Sequence, residues 1–151
     1  MFTATIQLSL KGRALRYLAA REHSRVELER KLAGHAQDEQ ELAAVLDDLT
    51  ARGFLSDQRA AESLVHRRGA KLGTARVVHE LKARGVEPQA IAQVAEHLRL
   101  TERERAREVW ARRFGQTPVD PSERARQSRF LAQRGFSADT IGHVLRESSR
   151  D

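Results

Sequence analysis

Cysteine is absent from this chain, which excludes a disulfide framework and any cysteine-ligated zinc and suits a reducing compartment. Proline occurs three times, aromatic residues make up 5% of the chain, and no apolar run reaches the length that crosses a bilayer. Few aromatics beside many Ala, Leu, Arg and Glu argue for helix over sheet. The opening segment, Met1 to Leu10, alternates apolar residues but has neither a basic leader region nor an Ala-x-Ala cleavage site. It reads as an N-terminal arm, residues 1–10. The chain is expected to be cytoplasmic, with no membrane attachment.

The signatures of catalysis are missing too. Gly69 and Gly73 follow no strand and precede no Lys-Ser or Lys-Thr pair, so no phosphate-cradling loop forms. His79-Glu80 begins a metalloprotease helix, but Ala83 stands where the second His is required. There is no Gly-x-Ser-x-Gly elbow, and the six histidines are scattered. Acids mostly lie three or four residues from bases, the pattern of solvated helix faces. The expectation is a binding protein with no catalytic residues, no metal site and no cofactor.

What the chain does contain is a threefold repeat. Leu32, Leu81 and Leu131 stand 49 and 50 residues apart. The same steps relate Leu42, Ile91 and Ile141, then Val45, Val94 and Val144, and, upstream, Leu15, Leu64 and Phe114. A period of this length marks tandem copies of one small unit. The 151 residues divide into repeats at 11–55, 56–100 and 101–148.

Helix signals fill each unit. Ser24 with Glu27, Asp38 with Glu41 and Thr101 with Glu104 are capping boxes. Asp120-Pro121-Ser122-Glu123 and Glu87-Pro88 place proline at a first helical position, and Asp57 and Ser137 are N-cap candidates. Gly34, Gly53, Gly85, Gly115 and Gly135 each end an apolar-periodic run. Nine helices follow, at 11–22, 24–33, 38–52, 57–71, 74–84, 88–98, 101–114, 121–134 and 137–148. The fold class is all-α, three tandem three-helix repeats in an elongated, curved array. Trp110 and Phe114 are expected in the third core, and Phe54, Val86 and Phe136 are expected to close turns against the preceding helix.

Net charge is +6, and its excess lies beyond residue 56. Residues 1–56 hold 8 basic and 8 acidic side chains, residues 57–98 hold 7 and 5, and residues 99–151 hold 12 and 8. Arg67, Arg68, Lys71, Arg76, Lys82 and Arg84 form one group around a joint near Thr74, where a helix N-terminus could help hold phosphate. Arg124, Arg126 and Arg129 form a second, with Arg112 and Arg113 across a loop, and Arg124 is the repeat counterpart of Arg25. With so few aromatics, phosphate contact without base stacking is the expected mode.

Four ordered stretches resemble the RecX family, modulators of the RecA recombinase. They are Arg21-Glu22-His23-Ser24-Arg25-Val26-Glu27-Leu28; Gly53-Phe54-Leu55-Ser56-Asp57-Gln58-Arg59 with Ala61; Arg76-Val77 with Glu80-Leu81-Lys82-Ala83-Arg84-Gly85-Val86; and Arg129-Phe130-Leu131-Ala132-Gln133-Arg134-Gly135-Phe136-Ser137 with Ile141. Ala60 departs from the pattern, standing where the family usually carries an aromatic. The resemblance implies binding to the RecA–DNA filament along its helical groove, with inhibition of strand exchange, ATP hydrolysis and co-protease activity in DNA repair and the SOS response; the chain is expected to be a monomer that also touches the DNA phosphate backbone. Two other readings of the residues are a helix-turn-helix transcription regulator and a helical-repeat scaffold for another protein.

Overall fold

The computed structural model describes residues 7–150, so most of the N-terminal arm lies outside the described residues. Those residues form α1 (Leu10–Ala20), α2 (Arg25–Leu32), α3 (Glu39–Ala51), α4 (Asp57–Arg68), α5 (Thr74–Ala83), α6 (Pro88–Arg113), α7 (Pro121–Gln133) and α8 (Ala138–Ser148). Two 3-10 turns, Ala33–His35 and Gly69–Lys71, follow α2 and α4. No strand occurs among the described residues.

Local chemistry sets most boundaries. Ser24 Oγ accepts the Glu27 N–H at 3.0 Å while Glu27 Oε1 accepts the Ser24 N–H at 3.1 Å. Asp38 and Asp120 take the N–H groups of Glu41 and Glu123, both at 2.8 Å. At the stops, Gly53 and Gly135 sit at φ +79° and +92°, conformations that side chains with a Cβ resist.

Four expectations fail, each for a visible reason. Residues 88–98 and 101–114 form one helix, α6. Thr101 does not cap; its hydroxyl donates to the Leu98 carbonyl at 3.4 Å. Arg99 and Leu100 are good helix formers with no glycine or proline beside them, so the backbone ladder continues. Asp57 is not an N-cap, because Ser56 accepts the Arg59 N–H at 3.1 Å and leaves the Asp57 carboxylate free for other partners. Gly34 stops nothing in a left-handed conformation; it lies inside a 3-10 turn. Phe54 is 51% exposed, because Leu55 beside it takes the buried place at 2%.

Three apolar cores stand in series. Leu28, Leu32, Leu46 and Leu49 build the first, among α1, α2 and α3. Leu64, Val77, Leu81 and Val94 build the second, and Leu131, Phe136, Val144 and Leu145 the third. The long α6 serves two of them: Ile91, Val94 and Leu98 face the second core, and Ala106 the third.

Polar clasps join the modules. Asp57 Oδ1 accepts the N–H of Arg25 and its Oδ2 that of Glu87, both at 2.8 Å, and Ser24 Oγ donates to the Arg84 carbonyl at 2.5 Å. At the second joint Glu102 Oε1 accepts the Thr74 N–H at 2.8 Å. Its Oε2 accepts from the Thr140 hydroxyl at 2.6 Å and the Ser137 N–H at 3.4 Å. Gly73 N–H donates to the Arg134 carbonyl at 2.8 Å, an approach so close that a Cβ on Gly73 would lie 2.1 Å from the Gly135 oxygen. Arg105, also buried, donates to the Leu98 carbonyl at 2.6 Å and to the Thr101 hydroxyl, and lies near the Leu72 carbonyl at 3.4 Å.

Burial resists the charge on Glu102, but the bonds from Thr140, Thr74 and Ser137 outweigh it and hold the carboxyl below its ordinary value of 4.5. Its contribution to stability is therefore complete above that value and is lost as pH falls through the lowered folded value. Glu102→Ala leaves two backbone donors and the buried Arg105 without their acceptor or counter-charge. It should cost about 3 kcal/mol, read as a lowered urea midpoint at neutral pH. An unchanged midpoint would count against the clasp.

His23, 1% exposed, is a second pH-sensitive point. Its Nδ1 lies 3.0 Å from the Arg21 carbonyl and its Nε2 2.8 Å from Lys31 Nζ, partners that suit a neutral ring donating through Nδ1 and accepting at Nε2. Burial, with the charges of Arg21 and Lys31 adding to it, pushes its pKa below 6.5. A folded value below the unfolded one gives stability that is complete above 6.5 and lost as pH falls. The urea midpoint should drop between about pH 7 and about pH 5, and His23→Gln should flatten that slope.

Candidate functional site

The joint between α4 and α5 carries the first basic group, but not in the open form expected of a phosphate site. Thr74 is buried and its N–H belongs to Glu102. The Gly73 N–H belongs to the Arg134 carbonyl. The start of α5 is therefore spent on the neighbouring module and offers no free donors at these two positions.

The side chains around it divide. Arg68 Nη2 lies 2.9 Å and Arg76 Nε 3.6 Å from the same oxygen, Glu80 Oε1. The other oxygen of Glu80 is buried without a hydrogen-bond partner. Arg67 and Lys82 are exposed and pair with no acid among the described residues. Arg84 is the half-buried C-cap of α5, and its carbonyl serves the first clasp. Arg25 opens α2, and its guanidinium pairs with Asp47 at 2.8 Å.

The second group splits across α7. Arg124 and Arg129 line a groove between α7 and α8 of about 380 Å³. Arg124 is not at a helix start as its counterpart Arg25 is, because α7 begins three residues earlier, at Pro121. Arg126 turns the other way: it pairs with Glu123 at 3.2 Å and lies 5.5 Å from the Phe114 ring.

On that face aromatic rings and guanidinium groups stack. Phe114 and Phe130 meet edge to face at 5.4 Å. Arg113 sits 5.3 Å from the first ring and 5.4 Å from the second, and Arg134 sits 5.0 Å from Phe130. Such contacts hold guanidinium planes in fixed orientation. Phe114 is thus a half-buried platform and not a plain core anchor. Trp110 also keeps a polar duty, donating to Gln127 Oε1 at 2.7 Å.

Lys71, from the first basic group, reaches the same place. With Arg112, Arg113, Val109, Phe130 and Arg134 it lines a groove of about 370 Å³. The two basic groups therefore share one member site, assembled from α6, α7 and the Gly69–Lys71 turn. Arg134 and Phe130 did not stand out as site residues in the sequence. Their signal was there in the four-residue spacing of Phe130 and Arg134, which puts ring and guanidinium on one helix face.

Among the described residues no helix is long and apolar enough to cross a membrane, and no group of three or more His, Cys, Asp or Glu side chains could hold a metal ion. Burial lowers the pKa of Arg105 while the Glu102 charge opposes that, and both groups sit at the second clasp, serving the fold. The chain as a whole keeps a net positive charge, which suits binding of anionic groups.

Comparison with known proteins gives a consistent result. Family descriptions match in order: RecX first three-helix domain at residues 11–49, second at 56–94 and third at 101–145. The regulatory protein RecX of Leptothrix cholodnii is 60% identical over 140 residues, covering 93% of this chain and 89% of the relative. That of Herminiimonas arsenicoxydans is 50% identical, covering 95% of each chain. The crystal structure of RecX from Lactobacillus salivarius matches in fold with a TM-score of 0.77 at 24% identity, covering 93% of this chain and 94% of that one.

Glu80 now holds two arginines that would otherwise face solvent. Glu80→Gln should release Arg68 and Arg76, and the protein should elute from heparin at higher salt than the wild type. Asp139→Asn removes the same charge from an exposed carboxylate 3.6 Å from Arg103, and should shift elution less. Equal shifts would mean that net charge alone decides.

Proposed function

The chain belongs to the RecX family, and from that premise we propose that it is a non-catalytic regulator of the RecA recombinase. It binds the RecA–DNA filament as a cytoplasmic monomer and inhibits or modulates ATP hydrolysis, strand exchange and co-protease activity during DNA repair and the SOS response. The observation that carries this reading is the ordered match of all three domains along one clasped array whose surface charge is basic.

The mechanism follows from the arrangement. Units at 11–55, 56–100 and 101–148 lie along the filament and touch more than one protomer. Each unit adds a modest contact, and linkage of the three raises the effective affinity. Cationic faces meet DNA phosphates or acidic filament surfaces, so the attraction weakens as salt rises. Protomers held in this way lose freedom to exchange and to hydrolyse ATP. Of the candidate side chains, Arg67, Lys71 and Lys82 are exposed and free of ion pairs with the described residues, whereas Arg68 and Arg76 are already tied to Glu80. The free ones are the stronger contributors, with Arg124 and Arg129 extending the surface on the third unit.

The test is DNA-dependent ATP hydrolysis by RecA with this protein titrated in. The rate should fall with increasing protein, and less steeply at higher salt. A flat response from substoichiometric amounts to excess would reject the function. The folded triple variant Arg67→Glu, Lys71→Glu, Lys82→Glu should need about tenfold more protein for the same inhibition. Inhibition at wild-type potency would show that this face is not the contact.

A further inference from the structure

We infer that the groove between α6, α7 and the Gly69–Lys71 turn receives an acidic peptide segment of a partner protein. An apolar side chain of that segment fills the space between Val109, Ala70 and the side of Phe130, and carboxylates on either side of it meet the surrounding cations. The inference deepens the reading that this chain docks onto a protein assembly and rests on it.

Two features of the groove define its ligand. The floor is apolar, built from Val109, Phe130 and Ala70. The rim is cationic, with Lys71, Arg112, Arg113 and Arg134 against the single acid Glu108. None of the four cations makes an ion pair with a carboxylate of the described residues. An apolar pocket ringed by unpaired cations is complementary to a hydrophobic residue flanked by Asp or Glu.

The aromatic stacking sharpens the choice. Arg113 and Arg134 lie over Phe130 at 5.4 and 5.0 Å, so both guanidinium groups are held beside the groove before a ligand arrives. Placement in advance lowers the entropy lost when a guanidinium takes a carboxylate through two parallel hydrogen bonds. The same stacking argues against single-stranded nucleic acid. Base recognition uses open ring faces, and here guanidinium groups cover them. A sugar–phosphate backbone would use the rim and leave the apolar floor without a partner.

Fluorescence anisotropy on the full-length protein tests this, with a short fluorescein-labelled peptide of alternating Asp and Glu around one central Leu. Replacing that Leu by Ala should weaken binding about tenfold, which needs no change in the protein. Arg113→Gln with Arg134→Gln should weaken the Leu peptide by about tenfold as well, while Arg16→Gln with Arg30→Gln, exposed on the first unit, should leave it unchanged. Circular dichroism checks that both variants fold. Equal binding of the Leu and Ala peptides, or equal loss in both protein variants, would overturn the inference. So would an oligothymidylate of the same charge that binds more tightly and displaces the peptide, for the groove would then be a phosphate site. Full inhibition of RecA by a protein that ignores the central Leu would sink this inference alone. Leu-dependent peptide binding by a protein that leaves RecA untouched would sink the regulatory reading instead.

Discussion

A carboxylate that takes backbone N–H groups across a module boundary is the interaction on which this structure depends. The first four N–H groups of every helix lack an internal partner, and the positive end of the helix dipole favours a negative charge beside them. Asp57 supplies that charge to the start of α2 and to the turn before α6. Glu102 does the same for α5 and for the turn before α8. The groups involved are repeat counterparts: Arg25 and Thr74 are 49 residues apart, Glu87 and Ser137 are 50 apart. A second bond repeats with them, from Ser24 or Gly73 to the carbonyl of Arg84 or Arg134. Three small cores that share little apolar surface are thus held in a fixed order by matched polar contacts. The registry comes from bonds with one correct partner, which hydrophobic burial alone would not supply.

The two outer faces of the described array differ from its internal joints in the same chemistry. Helix α7 starts one turn earlier than its counterparts and carries its own acceptor, Asp120, whose carboxylate takes the Glu123 N–H. At the other end α2 runs into the Ala33–His35 3-10 turn, so Gly34 lacks the left-handed geometry that lets Gly85 and Gly135 press against a preceding module. Neither terminal face repeats the internal joint. Repeat arrays need ends that differ from their middles, because an open copy of the internal joint would recruit another chain.

How much of this was legible in the sequence depended on the range of each interaction. Ser24 and Glu27 sit three residues apart, and their capping box formed as read, because its partners are local. The threefold period gave the cores, since Leu32, Leu81 and Leu131 had to point inward for any unit to fold. Asp57 was misread as a cap because its partners, Arg25 and Glu87, lie about thirty residues away on either side. Glu102 and Arg105 stand three apart on one helix, the spacing of a solvated pair, yet each is 8% exposed. The fusion within α6 was missed because Thr101 with Glu104 satisfies the pattern of a start, and nothing local says that an uninterrupted ladder is available. Among the basic residues, composition gave the charge but not its state. Glu80 holds two arginines, and two aromatic rings hold three more.

That last distinction bears on how a charged array finds its partner. A formal charge of +6 describes attraction at a distance, where every cation counts alike. At contact the cations differ. Lys82, unpaired and exposed, gives up side-chain freedom to make a contact and gains a modest, salt-sensitive attraction. Arg113 and Arg134, already laid on Phe130, have less freedom to lose and can add geometry to charge. On the proposed reading, loose cations would govern how quickly the array arrives, and stacked ones where it settles. Because the clasps fix one module relative to the next, the settling of one unit brings the loose cations of its neighbours to a defined place on the same surface. Weak contacts of that kind become useful only on such a frame.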